Sequence, residues 1–197
     1  MPHHSGGDYD LDRMMEAILT YFFWTCFVCL LVFAAVNDAK KYIIPNWVSL
    51  FLIGLFILQV FVTATMSQSE MVWLPILESI ATAVVITAIF FVLFVLGHMG
   101  GGDVKLIGAI SLWAGPTLVI PFLLLTAIAG GLLSFVWIIR RRIRQKQIAS
   151  FKRRAAILGD VTTAPKPGIK PYLPYGIAIA VGGVSIALFE IALLTTA

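Results

Sequence analysis

The residues best placed to do chemistry in this 197-residue chain are two aspartates, Asp38 and Asp103, each at the edge of a long apolar run. Carboxylates in or beside a membrane span are costly and default to functional roles. Two of them held close cannot both ionise cheaply, so such a pair shares one proton. The ionised member takes a proton from water while the protonated member polarises a carbonyl. That is the chemistry of an aspartic protease, which needs neither a metal nor a nucleophilic side chain. A second reading makes them interfacial carboxylates neutralised by Lys40, Lys41 and Lys105. Their spacing alone does not choose between the two.

Their surroundings carry more. Gly100, Gly101 and Gly102 precede Asp103. Glycines there permit backbone angles closed to other residues and the close approach of another chain, so an extended substrate fits against them. Asp103 would open a helix, where the dipole favours a carboxylate. The segment Gly100–Lys105 is not a phosphate-binding loop, which would end in Gly-Lys-Ser/Thr. After Asp38 come Ile44, Pro45 and Asn46, with Pro45 suited to a first helical turn and Asn46 to capping it. Glu78 and Glu190 fall near the opposite membrane face, within snorkelling reach of water. His98 lies near Asp103 but is assigned no catalytic role, and no Ser or Thr has a consistent His or Lys partner for nucleophilic catalysis. Cys26 and Cys29 read as small apolar fillers of a membrane helix, and His3 and His4 as part of a polar tail; no metal site is expected from either pair.

Membrane helices must position these residues. Hydrophobic residues make up 60% of the chain and charged ones 12%, with a mean hydropathy of +0.97, a balance outside the range of soluble domains. A bilayer core of about 30 Å needs roughly 20 apolar residues per helix. The pattern predicts an all-α, polytopic protein with about six transmembrane helices: Ala17–Val36, Trp47–Ala64, Val72–Gly97, Val104–Ala114, Leu118–Ile139 and Tyr175–Thr195. The stretch 104–139 would measure about 54 Å as one helix, too long for one span, and Gly115-Pro116 and Pro121 mark where it divides.

Charge supports that division. With six spans, 13 of the 14 Lys and Arg residues fall on one side, which the positive-inside rule makes cytoplasmic; only Arg13 falls opposite. Asp38 and Asp103 then share the cytoplasmic edge. Residues 1–16 form a non-cytoplasmic tail, residues 17–197 the membrane domain, and both termini lie outside the cytoplasm. The N-terminus lacks the basic region of a cleaved signal peptide. Residues 140–174 read as a basic cytoplasmic loop that sets topology, with a basic helix on anionic headgroups as the other option. No nucleic-acid partner is expected, because no domain stands behind these charges.

Three motifs resemble those of type IV prepilin peptidases. Asp38 with Ile44-Pro45-Asn46 six residues on resembles their first aspartate motif. Gly100-Gly101-Gly102-Asp103-Val104-Lys105 resembles their Gly-x-Gly-Asp-x-Lys motif. Pro174-Tyr175-Gly176 resembles the one that opens their last helix. The resemblance implies a membrane aspartic endopeptidase of the bacterial inner membrane that removes the leader of prepilins and pseudopilins on the cytoplasmic side. By carry-over, Asp38 and Asp103 are the catalytic pair. Gly100 and Gly102 shape the site, and Lys105, Pro45 and Asn46 support it. Bifunctional members carry an extra domain with two Cys pairs and methylate the new N-terminus. This chain has no such tetrad, so it resembles the peptidase-only branch that serves Flp pili of the Tad system. That implies no cofactor, no metal and no methylation, with the bilayer and other pilus-assembly components as further partners. Two other functions fit the residues: a small proton- or ion-coupled transporter using the same carboxylates, and a non-catalytic assembly subunit docking through its basic loop.

Overall fold

A computed structural model describes residues 6–41, 44–66, 73–157 and 174–196. Among them the chain is all helix: α1 (Gly6–Lys41), α2 (Asn46–Met66), α3 (Trp73–Val95), α4 (Gly101–Ile157) and α5 (Tyr175–Thr196). All five are long and apolar enough to cross a membrane. In a bilayer only structures that satisfy their own backbone can span, and five apolar helices do so. The protein is a multi-pass membrane protein.

The fourth and fifth expected helices lie end to end within α4, which is two helices meeting at a break at Gly115 with no loop between them. Gly115 interrupts α4 with φ 58° and ψ −169°. Its positive φ suits glycine, and Pro116 then restarts the helix with a φ already fixed near the helical value. Neighbours show that the chain turns back there. Along α3, Phe94, Thr87 and Ser79 face Gly101, Gly108 and Gly115 in turn, so the limb 101–114 runs antiparallel to α3. Ile110 meets Gly183 of α5 on that outward limb, while on the return limb Phe122 and Thr126 meet Gly182 and Gly130 meets Tyr175. The outward limb therefore runs parallel to α5 and the return limb antiparallel to it. The split expected at Gly115-Pro116 is a reversal between two limbs of one element.

The outward limb is the centre of the molecule. It carries Val104, Leu106, Ile107, Ala109, Ile110, Trp113 and Ala114, all buried. Around it the core is completed by Phe27 and Leu31 of α1, Val48 and Leu52 of α2 and Ile179 and Ile186 of α5. Trp113 packs against Trp24 and Phe27 with ring centroids 5.2 and 4.8 Å apart, and its indole N–H donates to the Leu52 carbonyl at 3.0 Å. That bond satisfies the one polar group a buried Trp brings. α3 packs on α4 yet contains no buried residue, so it lies at the rim.

Two expectations change here. Residues 6–16 do not precede α1 as a separate tail; they are helical and continuous with it. Residues 140–157, expected as a loop, extend the return limb as helix. Arg, Lys, Gln, Ala and Ile dominate this segment and no Gly or Pro interrupts it, so nothing stops the helix. Arg141 lies over the Trp137 ring at 5.2 Å, one turn away. His3, His4, Lys166 and Lys170 lie outside the described residues.

Candidate active site

Three helix starts converge at one end of the bundle, and each is built by its own sequence signal. α3 ends in a Schellman turn. Gly97 takes φ 74°, its N–H donates to the Phe94 carbonyl at 2.9 Å, and that of His98 donates to Leu93 at 3.0 Å. Three residues later Gly100 becomes the N-cap of α4, its carbonyl accepting from Asp103 and Val104 at 3.1 and 3.3 Å. Asp103 is then the third helical residue, and its carboxylate accepts from the Gly100 amide, the back half of a capping box.

Asp38 is held from the other side of the molecule. It lies on α1, 5% exposed, and accepts from the Gly176 amide at 2.7 Å and from the Ile177 amide, the first free donors of α5. A capping carboxylate normally comes from the same chain segment; here it comes from α1. Gly176 is required for this approach, since a Cβ there would sit 2.8 Å from Asp38 Oδ2 and 2.9 Å from Ile44 Cδ1. Each aspartate therefore occupies the positively polarised start of a helix, α4 for Asp103 and α5 for Asp38. The two starts are adjacent, because Ile44 packs against Gly102 at the start of α4 and against Gly176 at the start of α5.

Among the described residues no lysine is paired with either aspartate. Lys40 and Lys41 are exposed, and Lys105 donates to Asn46 Oδ1 at 3.1 Å. Asn46 was expected to cap α2, yet Pro45 provides the cap, its carbonyl accepting from Val48 at 3.1 Å. The Asn46 side chain is thereby free to tie the start of α2 to that of α4. The glycine run also differs from expectation. Cβ positions on Gly101 and Gly102 would press on Phe94 and Ile44 at 3.2 and 3.3 Å, so these two serve internal packing. Gly100, exposed and beside the Asp103 carboxylate, is the glycine left open to a ligand. Glu78 is exposed on α3, away from the aspartates, and His98 is exposed in the turn before α4. Cys29 is exposed and Cys26 partly buried on α1.

Compared with known protein families, residues 25–135 match the type IV leader peptidase family. The chain belongs to that family. The match spans more than half the chain and takes in both aspartates, the glycine run, Asn46 and Lys105. No curated protein and no solved structure matches it. The molecule is accordingly a membrane hydrolase that acts as a prepilin leader peptidase.

Sequence reasoning missed two contributors to the peptidase's geometry. Gly176 was visible only as part of a motif, with no role, because it lies outside the matched segment and far along the chain from Asp38. Ile44, 7% exposed, wedges between Gly102 and Gly176 and so spaces the two helix starts. The signal for it was an apolar residue placed directly before the helix-starting Pro45.

Proposed function

We propose that Asp38 and Asp103 are the catalytic dyad of an aspartic peptidase that cleaves the leader from Flp-type prepilins and pseudopilins. The observation that carries this is the convergence of both carboxylates at adjacent helix starts, with Lys105 held by Asn46 rather than by either aspartate. Like charges at short range leave one proton shared between them. The ionised carboxylate takes a proton from water, whose oxygen attacks the scissile carbonyl carbon. The protonated one gives its proton to the carbonyl oxygen. Collapse of the tetrahedral intermediate breaks the C–N bond, and a proton returns to the leaving amine. Backbone amides fix both carboxylates before substrate arrives, which reduces the reorganisation the reaction needs.

The basic residues orient the site. Lys40, Lys41, Lys105 and the Arg140–Lys146 segment belong to the aspartate end of the bundle by sequence and by helix direction, which supports a cytoplasmic active site. Within these 197 residues the only cysteines are Cys26 and Cys29 of α1, which supports leader removal without N-methylation. Leader removal from a co-expressed Flp-type prepilin, followed by gel shift, tests the reading. Asp38→Asn and Asp103→Asn should each lower cleavage by about 10²- to 10⁴-fold, the usual scale of acid–base catalysis, while the protein still accumulates in the membrane. Cleavage at the parent rate by either variant would sink the dyad.

A further inference from the structure

A groove of about 950 Å³ runs between α2 and α3, floored by the outward limb of α4. Its lining extends along α2 from Asn46 to Val60, about 21 Å at 1.5 Å per residue, most of a bilayer's depth. One end holds Asn46 and Lys105, two residues from Asp103; the rest is apolar except for Ser49 and Thr87. We infer that this groove docks an apolar transmembrane helix of the substrate, laying it against the molecule so that its end meets the aspartates. The inference rests on the peptidase reading above and adds where the substrate's membrane segment is held.

Three observations favour a helix as the occupant. The floor and walls carry Ser49, Ala83, Thr87, Ala88, Gly108 and Ala109, small residues of the kind that let two membrane helices approach closely. Ser49 is 4% exposed, and its hydroxyl has no hydrogen-bond partner although a helical serine ordinarily finds one on its own backbone. The groove is also continuous with the site. A peptide inside the bilayer must keep its backbone bonds internal and so stays helical, whereas a bond to be cut must be extended. A helix lying in the groove would end at Asn46 and Lys105, and the chain beyond it would pass the open Gly100 beside Asp103. The volume corresponds to about two turns of helix, so a docked helix is only partly enclosed and its other face stays on lipid.

Site-specific photocrosslinking in native membranes tests this. A photoreactive phenylalanine replaces Leu50, Ile57 or Val84 in the groove, or the exposed Phe22, Leu132 or Leu188 elsewhere. Each is placed in the full chain carrying Asp103→Asn and co-expressed with an Flp-type prepilin. Prepilin adducts severalfold stronger at the three groove positions than at the other three are expected. Equal adducts at all six, stronger adducts outside the groove, or lipid adducts alone in the groove would overturn the inference. Cleavage of the same prepilin by the parent is scored in parallel. A cleaving parent without groove adducts removes the groove alone, and a parent that does not cleave removes the peptidase reading.

Discussion

At the scale of single residues, the controlling contact is between Asp38 and the Gly176 amide. Its 2.7 Å length and near-complete burial make it a charge-assisted bond shielded from water. Gly176→Ala alters neither aspartate but puts a methyl 2.8 Å from Asp38 Oδ2. The carboxylate must rotate away and lose the bond. A hydrogen bond to a charged group contributes roughly 1.5–3 kcal/mol, so cleavage should fall by about ten- to a hundredfold in the gel-shift assay. Protein abundance should stay near that of the parent, and an unchanged rate would show that the amide does not hold Asp38. Both aspartates were legible in the sequence because an acidic residue at a membrane edge is conspicuous. The residue that aims one of them was not, because a glycine's contribution is the absence of a side chain, and sequence cannot show what fills that space.

At the scale of elements, the site is a junction of helix starts, and the bond from Lys105 to Asn46 joins two of them. Lys105→Met and Asn46→Leu should each lower cleavage. The double variant should be hardly worse than the poorer single, with a coupling of about 0.5–1.5 kcal/mol in a double-mutant cycle. Additive losses would mean that the two act separately. The bounds of α2, α3 and α5 were predicted to within a few residues, since apolar runs about 20 residues long leave little choice, whereas α1 starts and α4 ends well beyond their apolar runs. What misled was polarity. Arg140–Lys146 reads as a loop only if charge is taken to end a helix, whereas only missing amides, strain or glycine do so. Asn46 misled similarly, because a capping residue type does not cap when a neighbour's ammonium holds its side chain.

At the scale of the whole molecule, packing is uneven. α5 is the most buried span and α3 the least, with no buried residue at all. The rim position of α3 leaves its groove-facing side open, which a rigid sealed bundle would not provide. Charge gives the molecule its direction. If the aspartate end faces the cytoplasm, an alkaline phosphatase fused after Ala197 should be active, and one fused after Arg144 inactive. The reverse pattern would invert the orientation and rule out cytoplasmic leader cleavage. The reversal at Gly115 decides that parity, because a straight α4 would carry Arg140–Lys146 to the other side.

That reversal bears on how the chain enters the bilayer during synthesis. The outward limb is about 21 Å long, too short to be retained by an insertion machinery as an independent span. It also turns back about 9 Å short of the start of α3, because Gly115 pairs with Ser79 rather than with Trp73. Gly101–Ala114 must therefore partition together with the limb that follows, as one hairpin whose apex never reaches the far headgroups. Gly115→Val, which disfavours the positive φ, should release that apex. Alkaline phosphatase fused after Arg144 should then become partly active as a fraction of chains threads straight through. Biogenesis of the proposed active site, with Asp103 at the foot of the hairpin, would thus depend on a glycine at the opposite end of the same limb.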